Sequence, residues 1–158
     1  MILMSEVNPK RWSKNMTTKN YNELIKDRIY FGGADDVKDM MENEKADIIF
    51  DLRAESHENK SGFDRIHSPI VDDAEHQDES IKKSVENVVN AYNDGKKVYF
   101  HCGGGSTRAG TVAVGTLLSL GKAKTIDEAE KIAKAARPKI NVKPQMKEAL
   151  HRIFPNSL

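Results

Sequence analysis

The stretch His101-Cys102-Gly103-Gly104-Gly105-Ser106-Thr107-Arg108 puts the single cysteine of the chain directly after a histidine, with five residues between it and an arginine. Three glycines follow the sulfur. The thiolate rather than the thiol is the nucleophile. Successive backbone N–H groups curling around one point form an anion site, and the positive end of a helix dipole strengthens it. Cys102 sits where both would act, so the stretch predicts a nucleophilic sulfur at the floor of a phosphate site. Gly103, Gly104 and Gly105 are expected to let the loop close tightly, at positive φ where needed, and to bring its amides to oxygen. With Ser106, Thr107 and Arg108 they make up the expected phosphate-binding loop. Arg108 offers a planar fork that can hold two phosphoryl oxygens and match the charge developing on them. His101 is expected to orient the nucleophile or the loop through hydrogen bonds rather than to act as a base. Taken singly, a lone cysteine on a strand reads as inert core and a glycine-rich turn is common. The combination is far more restrictive.

Such a loop needs a strand to deliver the sulfur and a helix to receive the chain. Lys97 to Phe100 reads as the strand, and the apolar run Thr111 to Leu120, stopped by Gly121, reads as a buried central helix. Upstream, Arg28 to Phe31 reads as a short strand that stops at Gly32-Gly33, and Ala46 to Leu52 as a buried strand. Between them, Asp35 to Glu44 reads as a helix with Val37, Met40 and Met41 on one side. Glu55 to Asp64 is polar and reads as loop with some helix, and Arg65 to Val71 as a strand ending at Asp72-Asp73. Gln77 to Asn93 is an amphipathic helix, with Ile81, Val85, Val88, Val89 and Tyr92 at helical spacing and Asp94-Gly95 at its end. Thr125 to Glu128 fits a capping box for a helix reaching Ala136, closed by Arg137-Pro138, and Pro144 to Ile153 is the last helix. Strands alternating with helices predict an α/β fold: a single domain with a central, mainly parallel sheet flanked by helices. Residues 1–26 are polar and aperiodic and read as an N-terminal arm pinned by Trp12; residues 27–158 read as the catalytic domain.

A chain of 158 residues can bury one sizeable core, and 38% hydrophobic with 31% charged residues fits a globular rather than a disordered protein. A net charge of +1 gives no global field for holding nucleic acid or an anionic membrane, so any anion site is local. One cysteine excludes an internal disulfide and a cysteine-rich zinc site, and a free thiol suits a reducing cytosol. Met1-Ile2-Leu3-Met4 is too short for a signal-peptide core, and no apolar stretch reaches membrane-spanning length, so a cytoplasmic location is expected. His57, His67, His76 and His151 show no metal-ligand spacing, and no metal or other cofactor is expected. Arg137 reads as a helix-terminal residue, with a place near the loop as the alternative, and Gln145 as a minor candidate for positioning water.

At the loop the sequence resembles the cysteine-dependent protein tyrosine phosphatase superfamily, whose signature is His-Cys, five residues, then Arg, and within it the compact dual-specificity branch. Ile29-Tyr30-Phe31-Gly32-Gly33 is similar to that branch's early strand-then-glycine element. Asp47 to Glu55 resembles its second strand followed by an acidic residue. Thr125 to Pro138 and Val142 to Leu150 resemble its C-terminal helix pair. The resemblance implies a phosphatase-like fold and a phosphocysteine intermediate. A phosphoryl ester also needs a proton for its leaving oxygen, which a carboxylic acid on a neighbouring loop supplies. In the family this aspartate lies about thirty residues before the cysteine, a few residues after a proline; Pro69-Ile70-Val71-Asp72 fits, with Asp73 the alternative acid and Glu75 or Asp78 weaker ones.

The expected function is therefore metal-independent hydrolysis of phosphotyrosine, with phosphoserine and phosphothreonine as further substrates, by Cys102, Arg108 and Asp72. The expected partner is a phosphorylated protein, with no stable nucleic acid or membrane partner, and the expected state is a monomer. Three alternatives stay open: the same chemistry on an inositol phosphate, a phosphoinositide or an RNA 5′-triphosphate; a phosphate-binding module without turnover; and sulfur transfer through a persulfide. One departure from the family pattern carries a consequence. The hydroxyl residue expected directly after the arginine is Ala109 here, leaving Thr111 or Ser106 to support the departing thiolate. Either one of these hydroxyls partly substitutes or breakdown of the phosphocysteine is slow. The expectation is the second, with breakdown limiting turnover, so that rapid mixing with a chromogenic ester shows a burst of leaving group before a slower steady rate; a linear trace from time zero contradicts it.

Overall fold

The computed structural model describes residues 20–55, 63–71, 73 and 75–157. Strands β1 (Asn22–Ile25), β2 (Ile29–Gly33), β3 (Ile48–Asp51), β4 (Ile66–His67) and β5 (Val98–Cys102) form one sheet in the order β1-β2-β5-β3-β4. The last four are mutually parallel, and β1 runs antiparallel to β2 at the edge. A 3-10 turn (Ala34–Asp36) leads into helix α1 (Val37–Asn43); α2 (Gln77–Asn93), α3 (Thr107–Ser119), α4 (Ile126–Ala136) and α5 (Pro144–Ile153) complete the domain. The expected single-domain α/β fold with a mainly parallel sheet is what the structure has.

Parallel strands in the middle of a sheet need cover on both faces, and β2 and β5 are buried along their whole length. The pleat sends alternate side chains to opposite layers. Ile29, Phe31, Phe50, Val98, Phe100 and Cys102 join the larger core, with Val112, Leu117 and Leu150 from the helices. Tyr30, Ile49 and Tyr99 turn the other way, onto Tyr21, Val37 and Met40. Helix α3 is buried from Ala109 to Leu117, packed between the sheet and α2, α4 and α5, which is why its sequence is apolar almost all round.

Four local readings change. The stretch expected to be a polar arm contains β1, which holds its place by pairing Asn22 with Phe31 and Ile25 with Ile29, and by Tyr21 edge-packed on Tyr30 and Tyr99. The sheet thus starts before residue 27, while Trp12 lies outside the described residues. The strand expected over Arg65 to Val71 shrinks to Ile66–His67, because Pro69 has no N–H for the ladder, although Ser68 and Ile70 still donate to Asp51 and Leu52. The central helix begins at Thr107, four residues earlier than expected, so Arg108 sits in its first turn. The capping box is half-formed as drawn: Thr125 Oγ1 accepts from the Glu128 N–H at 3.1 Å, but the Glu128 carboxylate accepts from Lys124 N, one residue before the cap.

No helix among the described residues is long and apolar enough to cross a membrane. Thr125→Ala removes the acceptor of the α4 cap and costs about 1 kcal/mol, read as a lower urea midpoint at unchanged slope.

Candidate active site

Cys102 is the last residue of β5, between β2 and β3 at the carboxyl end of the parallel strands, and is 3% exposed. The chain then turns over the sheet edge and enters α3. Every carbonyl of the turn is held from behind. Gly103 O accepts from Ala34 N at 3.1 Å, and Ser106 O accepts from Gly110 N and Asn141 N, both at 3.2 Å. Gly105 O and Gly104 O accept from Arg137 Nε at 2.7 Å and its Nη2 at 3.2 Å. The amides of Gly103 to Arg108, by contrast, have no backbone or side-chain acceptor among the described residues. A ring of N–H groups beside a buried sulfur, at the N-terminus of a 13-residue helix, is an anion site.

Arg137 is helix-terminal, as expected, its N–H donating to Ala133 O at 2.8 Å as the C-cap of α4, and it also reaches the loop. It is 3% exposed, and its Nη1 also donates to Asn20 O at 2.7 Å and Asn22 Oδ1 at 2.8 Å, tying β1 to the loop. The glycines divide as well. Gly105 has φ 72, and a Cβ there would lie 2.4 Å from the carbonyl carbon of Gly32. Around Gly103 and Gly104 a Cβ would meet nothing within 4 Å. Only Gly105 is required by the backbone; the other two leave the mouth of the loop open.

Arg108, in the first turn of α3, is met by Glu55: Nη1 donates to Oε1 at 2.8 Å and Nη2 to Oε2 at 3.3 Å, while Nε has no protein partner among the described residues. That hydrogen bond, with the charges of Cys102 and Glu55 adding to it, raises the Arg108 pKa against the opposing effect of burial. The same bond holds the Glu55 carboxyl down to about 2. A cavity of about 330 Å³ opens here, lined by Arg108, Thr107, Glu55 and Lys143 together with Ile70, Val71 and Met146.

The pleat puts His101 on the face opposite Cys102, beside the Tyr99 ring. Its Nδ1 lies 3.1 Å from the Cys102 carbonyl and 3.9 Å from Asp51 Oδ1. Burial lowers its pKa to about 4, so the imidazole is neutral at pH 7 and donates from Nδ1 to the carbonyl. Asp51 is fully buried; burial opposes its ionisation, but the side-chain and backbone hydrogen bonds of Arg53 outweigh that and lower its pKa.

Asp72, the expected general acid, lies outside the described residues. The alternative Asp73 does not line the cavity. It turns the chain into α2, accepting from Glu75 N at 2.8 Å and facing His76 Nδ1 at 3.0 Å, and the His76 contact lowers its pKa, the wrong direction for a proton donor. Asp78 is engaged by Arg152 on α5. Glu75 is exposed beside Asp73 and His76 and does not line the cavity. The Thr111 hydroxyl points to Thr107 O at 2.8 Å and Met146 Sδ at 3.0 Å, and Ala109 is buried in the core. Ser106 Oγ lies 3.4 Å from Thr107 Oγ1. Lys143 was not singled out from the sequence, and the loop contact of Arg137 stood second to its helix-terminal place; each carries a signal, a cation directly before a proline, a position pushed to extended backbone.

A scan of protein families matches residues 29–154 to the dual specificity phosphatase catalytic domain, and the chain belongs to that family. Among solved structures it is similar to Tk-PTP in the active form (21% identity, TM-score 0.70, covering 86% of this chain and 97% of that one). It is similar also to human DUSP28 (14% identity, TM-score 0.70, covering 85% and 92%). A third is PTPMT1 in complex with PI(5)P (16% identity, TM-score 0.69, covering 87% and 96%). No curated protein matches the sequence.

Arg137→Lys replaces a fork bonded to four oxygens by a single ammonium. It is expected to destabilise the fold by about 2 kcal/mol and to weaken vanadate binding at least about tenfold. Gly104→Ala stays within about 0.5 kcal/mol of the parent in the same urea titration.

Proposed function

We propose that this domain is a metal-independent phosphatase that hydrolyses phosphotyrosine in proteins, with phosphoserine and phosphothreonine as further substrates, through a phosphocysteine. The observation that carries the reading is the loop itself: six amides without acceptors among the described residues beside the buried Cys102, with Arg108 in the first turn of the helix that follows. The Cys102 thiolate attacks phosphorus in line with the ester oxygen. The S–P bond forms as the P–O bond breaks, and Asp72, next in sequence to Val71 of the cavity wall, gives its proton to the leaving oxygen. The loop amides and Arg108 hold the non-bridging oxygens throughout and match their charge in the transition state. Water then attacks the phosphocysteine, Asp72 takes its proton, and the S–P bond breaks to return the thiolate and free phosphate.

The apolar side of the cavity (Ile70, Val71 and Met146) supports the phosphotyrosine preference, because it offers a surface for a ring next to the charged loop. Thr111 is not free to support the leaving thiolate, which strengthens the case for slow phosphocysteine breakdown.

Purified protein is expected to hydrolyse p-nitrophenyl phosphate in EDTA, to be inhibited by vanadate, and to lose activity in Cys102→Ser. Turnover that survives in the serine variant removes the cysteine mechanism.

A further inference from the structure

The cavity beside the loop carries two cations and one carboxylate: Arg108, Lys143 and Glu55. Glu55 and Arg108 are matched to each other. The Lys143 ammonium has no ion pair or hydrogen bond among the described residues. Its main chain is nevertheless firmly held. Pro144 opens α5 at its first position, and Lys143 is the extended cap before it, its carbonyl accepting from Met146 N at 2.9 Å and Lys147 N at 3.0 Å. The segment before it is pressed onto the phosphate loop: Asn141 N donates to Ser106 O, and Val142 is buried. A Cβ on Gly110 of α3 would lie 2.8 Å from Ile140 Cγ2, so the glycine there is what permits the close approach. Among the described residues the lysine is therefore an unmatched cation, rooted at a fixed place beside Arg108.

We propose that Lys143 determines specificity by pairing with the carboxylate of an acidic residue next to the phosphorylated residue of a peptide substrate, while Arg108 and the loop hold the phosphate. This rests on the phosphatase reading of the same cavity. Charge selects the ligand. One unmatched cation beyond Arg108 suits one carboxylate, whereas a polyphosphate would bring several negative charges against Glu55 for a single extra partner. The apolar wall suits a peptide side chain better than an inositol ring.

The test is fluorescence binding of phosphotyrosyl peptides to the full chain carrying Cys102→Ser, which does not require turnover. One peptide has Asp on both sides of the phosphotyrosine, a second has Ala and a third Lys. The acidic peptide is expected to bind about fivefold tighter than the Ala peptide, the size of one partly exposed ion pair. Adding Lys143→Gln brings that ratio to about one, and Lys143→Glu reverses it in favour of the Lys peptide. Lys147→Gln on α5, where the ammonium is held by Glu130 of α4 at 2.9 Å, keeps the fivefold ratio. A ratio unchanged by Lys143→Gln overturns the proposal. So does a ratio of one in the parent, no binding of any of the peptides, or a Lys143-dependent preference for inositol 1,4,5-trisphosphate over the acidic peptide. Turnover of p-nitrophenyl phosphate by the chain with Cys102 intact is read separately. Its absence with the binding ratio preserved removes the phosphatase reading alone, and its presence with a ratio of one removes the Lys143 proposal alone.

Discussion

The geometry of the site depends on where the carbonyls of residues 103–106 are tied. A trans peptide plane sends the C=O of one residue and the N–H of the next in opposite directions. Anchoring Gly103 O to Ala34, Gly104 O and Gly105 O to Arg137, and Ser106 O to Asn141 therefore directs the amides of Gly104 to Thr107 the other way. The electrostatic environment of the sulfur is built through the carbonyls of the loop, by Ala34, Arg137 and Asn141. Such donors are fixed before any ligand arrives, so little reorganisation is needed when charge develops on the phosphoryl oxygens.

His101 extends the same principle one residue upstream. The pleat forbids it from reaching the Cys102 sulfur, and burial keeps its ring neutral, so it acts on neither the charge nor the proton of the nucleophile. What it reaches is the Cys102 carbonyl, and holding that oxygen sets the direction of the Gly103 N–H. The buried Asp51, gripped by Arg53, lies behind the ring at 3.9 Å and favours the proton on Nδ1 that this bond needs. The histidine beside Cys102 thus orients the backbone, as its position on the opposite face of the strand requires.

Much of this was legible in the sequence, for physical reasons that also mark where it was not. Gln77–Asn93 and Pro144–Ile153 match their expected bounds because periodicity and end signals agree there. Cys102 and Arg108 come together because the loop between them is too short to do otherwise. β1 was missed because an edge strand is half-exposed, and its alternation is blurred by Asn22, Glu23 and a bulge between Glu23 and Ile25. The role of Gly105 could not be told from that of Gly103 or Gly104, since only the approach of Gly32 separates them. Arg137 and Lys143 lie far from the loop in sequence, and nothing local says which carbonyl or cavity a long side chain will find.

The placements of Arg137 and Lys143 share a cause. Arg137 precedes Pro138 and Lys143 precedes Pro144, and the steric clash of a proline ring with the preceding residue disfavours helical backbone there. Both are extended, at φ −141, ψ 96 and φ −67, ψ 152. At the first, the clash stops α4 after Ala136 and lets the arginine leave the helix axis for the underside of the loop. At the second, it delays α5 until Pro144 and leaves the lysine on the approach to the helix, beside the mouth. Five residues separate them, and Ile140, Asn141 and Val142 of that span are seated on α3 and the loop. One short connection therefore supplies a cation to each side of the loop: the buried one holds its shape, and the exposed one adds a unit of positive charge to the cavity beside Arg108.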